Sequence, residues 1–213
     1  MRSARVFVIV LILGLSSLAC FGSGTQVPPS DILFSDDFST KDNKWDQITE
    51  TDRSTDYFNN AYRILVSNSE RHVWANPQNK EFSDTRIEVD ATKNGGPDDN
   101  DFGIICRYGD VNAFYYGVVS SDGFYGIYKV TDNGGEPIGN DTMLESDQIN
   151  QGTATNHVRF DCIGSSLSLY VNGELVDEQT DSTYTTGNVG LMAGTYATGG
   201  TDILFDNFFV YNP

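Results

Sequence analysis

The chain has 213 residues, with 30 Asp and Glu against 13 Lys and Arg and a formal net charge of −17. That balance excludes nucleic acid as a partner, since phosphates would be repelled, and suits an anionic lipid surface poorly. Beyond the amino-terminal segment the length fits one domain with a sizeable core, and the acidity favours solubility and cation binding.

Residues 1–19 open with Arg2 and Arg5, continue through the apolar run VFVIVLILGL and end in the small residues SSLA. A basic start, a short apolar core and a small-residue exit describe a secretory signal, and the run is short for a membrane span. Cys20 follows at once, and SSLAC fits the looser form of the bacterial lipoprotein cleavage pattern, with Ser17 where Leu is usual. The expectation is an exported protein lipidated at Cys20 and held to the membrane by that anchor; ordinary secretion with Cys20 lost or left free is the alternative. FGSGTQVPPS, residues 21–30, is small, polar and proline-containing, as a flexible tether would be.

From Asp31 to Pro213 short alternating runs replace any helical period: ILFSDDF, YRILVS, HVWAN, TRIEVDATK, FGIICRY, AFYYGVV, FYGIYKV, HVRFDCI, SLSLYVNG, ELVDEQT, VGLMAG and DILFDNFFVY. Clusters of Gly, Asn, Asp and Ser separate them, so the prediction is a single all-β sandwich or barrel. In TRIEVDATK, buried Ile87, Val89 and Ala91 alternate with Arg86, Glu88, Asp90 and Thr92, an ordinary solvent-facing row unless the carboxylates take polar ligand contacts. PDDND, residues 97–101, reads as a solvated acidic loop. Asp122-Gly123 predicts a two-residue turn pairing Ser120 with Tyr125, Val118 with Ile127 and Tyr116 with Lys129. The other face then carries Tyr115 and Tyr128 beside Gly117 and Gly126, either as core or as a platform for a sugar ring. Asn172-Gly173 predicts a second hairpin, with Leu167, Leu169 and Val171 on one face.

Cys106 and Cys162 form an even pair in an exported chain and read as a disulfide, against the alternative of two separately buried thiols. His72 and His157 read as surface or capping residues, and Trp45 and Trp74 as packing or rim residues. Neither a zinc spacing nor a GxSxG, GxxxxGK[ST] or HExxH motif is present.

The order of LFSDDFS, YRILV, FSDTRIEVDATK, DFGIICRYGDVNAFYYGVVSSDGFYGIYKV, NHVRFDCIGSSLSLYVNGELV, VGLMAGT and ILFDNFFVY resembles the concanavalin A-like lectin and glucanase superfamily, the laminin G-like jelly roll. The resemblance spans residues 32–211 and implies an antiparallel jelly-roll β-sandwich of the kind displayed by bacterial lipoproteins. It also implies a calcium site where the first and last strands meet, with Asp37 and Asp206 as candidate ligands. The β-glucanases of this superfamily carry a Glu, an Asp two residues on and a second Glu beyond. Glu88 and Asp90 match the first two, while Thr92 or Lys93 stands where the proton donor belongs. The expected function is therefore an extracytoplasmic binding module for a glycan or cell-envelope component, with Tyr115 and Tyr128 as stacking rings and Glu88 and Asp90 as hydrogen-bond acceptors. A protein-interaction module and a carbohydrate-active hydrolase are the alternatives.

Overall fold

The computed structural model describes residues 31–213. The signal, Cys20 and the tether lie outside the described residues. Strands in chain order are β1 (Ile32–Asp36), β2 (Ile48–Thr49), β3 (Arg53–Phe58), β4 (Ala61–Val66), β5 (Arg71–Ala75), β6 (Thr85–Gly95), β7 (Asn100–Asp110) and β8 (Ala113–Val119). They continue with β9 (Phe124–Thr131), β10 (Gly134–Pro137), β11 (Leu144–Glu145), β12 (Asn156–Ile163), β13 (Ser166–Val171), β14 (Glu174–Thr180), β15 (Asn188–Thr195) and β16 (Thr201–Tyr211).

All pairings are antiparallel and fall into two sheets. A nine-stranded sheet runs β14-β13-β12-β6-β16-β4-β3-β2, with β1 also on β16, and a seven-stranded sheet runs β10-β9-β8-β7-β15-β5, with β11 also on β9. The expected sandwich is what forms. Its core lies between the sheets, where the inward rows of β6 (Ile87, Val89, Ala91) and β12 (Val158, Phe160) meet those of β7 (Phe102, Ile104) and β15 (Val189, Leu191, Ala193). Along β6 burial alternates residue by residue as the period-two pattern requires, leaving Arg86, Glu88, Asp90 and Thr92 on the outer face.

The expected disulfide is present. Cys106 on β7 and Cys162 on β12 join the two sheets, with Cα atoms 6.7 Å apart and a sequence separation of 56. Next to it Arg107, buried and at φ 51°, donates to the carbonyls of Ser83, Tyr184 and Cys162 and to the Asp84 carboxylate. The left-handed residue marks a bulge that interrupts the β7–β8 register after Cys106.

The two predicted hairpins differ in outcome. Asn172 and Gly173 both take positive φ, 52° and 92°, so a type I′ turn joins β13 to β14 and Val171 pairs with Glu174. The β8–β9 turn is one residue longer than predicted. Ser120 N donates to Phe124 O at 2.8 Å, enclosing Ser121, Asp122 and Gly123, the last at φ 102°. That loop matches the three-residue hairpin in which a left-handed glycine adds a bulge. It moves the register by one, pairing Val119 with Tyr125, Gly117 with Ile127 and Tyr116 with Tyr128. A one-residue slip exchanges the faces of one strand. Tyr115 and Tyr128 therefore lie on opposite faces of the sheet, which corrects the expectation that they share one. Gly117 faces the core beside Phe160 instead of opening a groove.

Candidate functional site

On the outer face of the seven-stranded sheet a second set of residues is buried although it points away from the core: Ile105, Phe114, Tyr116, Val118 and Met192. These residues come from β7, β8 and β15, the centre of the sheet. Trp74 from β5, Tyr108 from β7, and Tyr128 and Val130 from β9 pack against them. Of these, Trp74, Phe114, Tyr116, Tyr128, Val130 and Met192 line the floor of a groove with a cavity volume of about 400 Å³, which His72, Asp101 and Tyr196 also line.

The rings form a continuous row. Trp74 and Phe114 have centroids 5.5 Å apart, Phe114 and Tyr116 6.0 Å, and Tyr116 and Tyr128 4.9 Å with an interplanar angle of 10°. Gly126 makes the last stack possible, because a side chain there would collide with the Tyr128 ring that lies along β9. Tyr128 keeps part of its ring exposed, whereas Tyr116 beneath it is buried.

Polar groups gather at one side of this row. Asp101 is buried at the start of β7, and its Oδ2 lies 2.9 Å from His72 Nε2 and accepts from the Tyr196 hydroxyl at 3.3 Å. Its Oδ1 is buried without a hydrogen-bond partner. Burial works against a charged His72, but the hydrogen bond and charge of Asp101 outweigh it and raise the imidazole pKa. Burial, reinforced by the Asp101 charge, pushes the phenols of Tyr116, Tyr128 and Tyr196 upward, keeping them neutral donors at physiological pH. Gly194 on β15 is required here. A Cβ at that position would stand 2.0 Å from Asp101 Oδ1 and 2.3 Å from His72 Cδ2.

Of the residues expected to bind ligand, Tyr128 alone lies in this groove. Tyr115 is 0% exposed in the inter-sheet core, where its hydroxyl donates to Asp181 and accepts from Tyr184 N at 2.9 Å. Glu88 and Asp90 sit on the outer face of the other sheet with His157 between them, Nδ1 2.8 Å from Asp90 and Nε2 3.6 Å from Glu88. Asn207 donates to the second Asp90 oxygen at 2.9 Å. Trp45 is buried, its indole donating to Asp36, so it is a packing residue; Trp74 belongs to the groove.

For calcium, Asp37 accepts from the backbone and hydroxyl of Ser39, and Asp206 accepts from Asn207 N. Among the described residues no group of three or more His, Cys, Asp or Glu is placed to hold a metal ion. Asp101, read as the end of a solvated loop, is instead the second residue of β7 and is buried, while His72, at the surface as expected, is its partner. The signal for His72 was the alternation itself, since His72 and Trp74 are two apart on one strand face.

No protein-family model matches the sequence, and no curated protein matches it. Solved structures do match. A carbohydrate binding module, CBM66, from Bacillus subtilis superposes with a TM-score of 0.63 at 16% identity, covering 79% of this chain and 95% of that one. A Bacillus licheniformis β-glucanase gives 0.60 at 12% identity over 84% and 97% of the two chains. A β-1,3-1,4-glucanase (lichenase) derived from a mouse hindgut metagenome gives 0.61 at 11% identity over 84% and 98%. Identities this low speak for the fold alone. The two antiparallel sheets and these superpositions agree: the chain has the concanavalin A-like jelly-roll fold.

Proposed function

We propose that the protein is a carbohydrate-binding module whose ligand lies in the outer-face groove of the seven-stranded sheet. The observation that carries this reading is the row Trp74, Phe114, Tyr116, Tyr128 beside the His72–Asp101–Tyr196 cluster. A pyranose has an apolar face and a rim of hydroxyls, and a strip of rings beside convergent polar groups complements both. Several neighbours in fold bear names that fit, among them a carbohydrate binding module and β-glucanases.

Binding is favoured over cleavage because the aromatic groove is lined by a single carboxylate, Asp101. Retaining hydrolysis places two carboxyl groups about 5–5.5 Å apart. Glu88 and Asp90 lie on the other sheet, engaged by His157 and Asn207. A glycan array probed with the purified protein, with and without calcium, tests the reading and the Asp37–Asp206 ion together. The expected outcome is a restricted set of glycans whose retention is lost in Tyr128→Ala. An array without hits in either condition overturns the reading.

The module would work outside the cytoplasm, tethered through a lipid on Cys20. Supporting this are the basic, apolar and small-residue order of residues 1–19 and a disulfide suited to an oxidising compartment. Metabolic labelling with a fatty acid should mark the protein in bacterial cells and fail to mark Cys20→Ala; equal labelling of both would remove the anchor.

A further inference from the structure

The groove does not end at the aromatic row. A second depression of about 410 Å³ adjoins it, lined by Asp99, Asn100, Ser120, Asp122, Phe124, Thr142 and Met143 and sharing Tyr128 and Tyr196 with the first. Pockets for compact organic ligands run to roughly 300–1,000 Å³, so each compartment reaches that range. The first is walled by rings; the second sets hydroxyls, amides and carboxylates beside the apolar side chains of Phe124 and Met143, and Tyr128 and Tyr196 are common to both.

Neither compartment is lined by a lysine or arginine. Their charged groups are Asp101 in one and Asp99 and Asp122 in the other. The imidazole of His72 is already engaged by Asp101, and even so Asp101 Oδ1 lacks a donor. Arg53, which lines a neighbouring depression together with His72 and Trp74, is held by both carboxylate oxygens of Glu50, with contacts of 3.1 Å. The net charge of the whole chain, −17, has the same sign as these carboxylates.

Resting on the glycan reading, we infer that the ligand is a saccharide chain of at least two rings bearing no acidic groups. One ring lies on the aromatic row, and the next presents hydroxyl or amine donors to Asp99, Asp122 and their neighbours. A uronate or sulfated chain would set its anions among three carboxylates, of which Asp101 alone is paired with a basic side chain lining the groove, in a partly dehydrated setting where like charges repel far more strongly than in water.

The test takes the glycans retained on the array and measures their affinity by calorimetry, together with tetragalacturonate and a heparin-derived tetrasaccharide as acidic probes. Retained chains should be free of acidic groups, and cutting the best of them to a single ring should weaken binding at least tenfold. Both acidic probes should bind at least a hundredfold more weakly than that chain. Asp99→Asn, at an exposed loop position, together with Thr142→Ala, should weaken the chain and leave the single ring unchanged, with thermal unfolding confirming an intact fold. An acidic glycan bound tightly and lost in Tyr128→Ala overturns this inference but keeps the glycan reading. A single ring that binds as well as the chain overturns the two-compartment part. No retained glycan at all defeats both.

Discussion

Tyr115 and Tyr116 are adjacent and chemically identical, yet their environments assign them different work. Tyr115 spends its hydroxyl on Asp181 and Tyr184 N within the sandwich, while Tyr116 supports the exposed ring of Tyr128. Replacing Tyr115 by Phe removes a hydrogen bond to a charged group and should destabilise the domain by about 1.5–3 kcal/mol, read by chemical denaturation, without changing glycan affinity. Replacing Tyr128 by Ala should do the reverse, lowering affinity about tenfold in calorimetry with a small change in stability. If Tyr115→Phe loses binding while Tyr128→Ala does not, the groove is wrongly placed.

His157 supplies the residue-scale pH dependence. The Glu88 and Asp90 carboxylates flanking it raise its pKa from 6.5 to about 9, against the opposing effect of burial. A histidine raised in the folded state adds stability that is complete below the unfolded value near 6.5 and disappears as pH rises through about 9. With the ring 45% exposed, solvent screens much of the effect. Melting temperature should fall by roughly 2–4 °C between pH 6 and pH 10 on this account, and His157→Asn should lack that component. The same fall in His157→Asn would assign it to other groups.

At the scale of elements, the strand that bears Glu88 was legible because Ile87, Val89 and Ala91 keep strict alternation, and the β13–β14 turn because Asn-Gly adopts the required left-handed pair. The β8–β9 register was not legible. Asp-Gly is also a two-residue turn signal, and whether Ser121 joins the loop depends on tertiary contacts: its amide donates to Asn100 Oδ1 and its hydroxyl accepts from Asn100 Nδ2. Those contacts join β7 to the turn from 21 residues away in sequence. Asp101 was hidden for a related reason, since PDDND has the composition of a loop and only pairing with β15 draws its last two residues into a strand. Two sheets also offer two outer faces, and period-two patterns cannot say which one holds a groove.

The disulfide acts between elements. Cys106 follows Ile105, which packs in the buried cluster with the groove residues Phe114 and Tyr116, and its partner lies on the opposite sheet. In the chain-entropy account a closure of this length contributes about 4 kcal/mol. The Cys106→Ala, Cys162→Ala variant should lose roughly 2–5 kcal/mol in denaturant unfolding under oxidising conditions. Unchanged stability would show that the unfolded chain gains nothing from release.

For the whole molecule, the two layers divide the labour. The nine-stranded sheet turns a charged outer face to solvent, with Arg159 lying over Tyr170 and bonded to Asp161. The seven-stranded sheet has apolar residues on both sides of its central strands, and it is there that a recess forms. An outer face of buried rings is what sets this domain apart from a sandwich that merely fills its own core.

Among the described residues the nine-stranded sheet ends on β14, whose far side pairs with no further strand. Open ladders invite recruitment of another chain, and this one carries an exposed Leu175 among Glu174, Asp177 and Glu178. The acids act as a guard against end-to-end stacking into fibrils. Exchanging all three for Thr should bring on time-dependent light scattering and thioflavin fluorescence in concentrated, unheated solution; a clear, non-fluorescent solution would show that the margin needs no sentry.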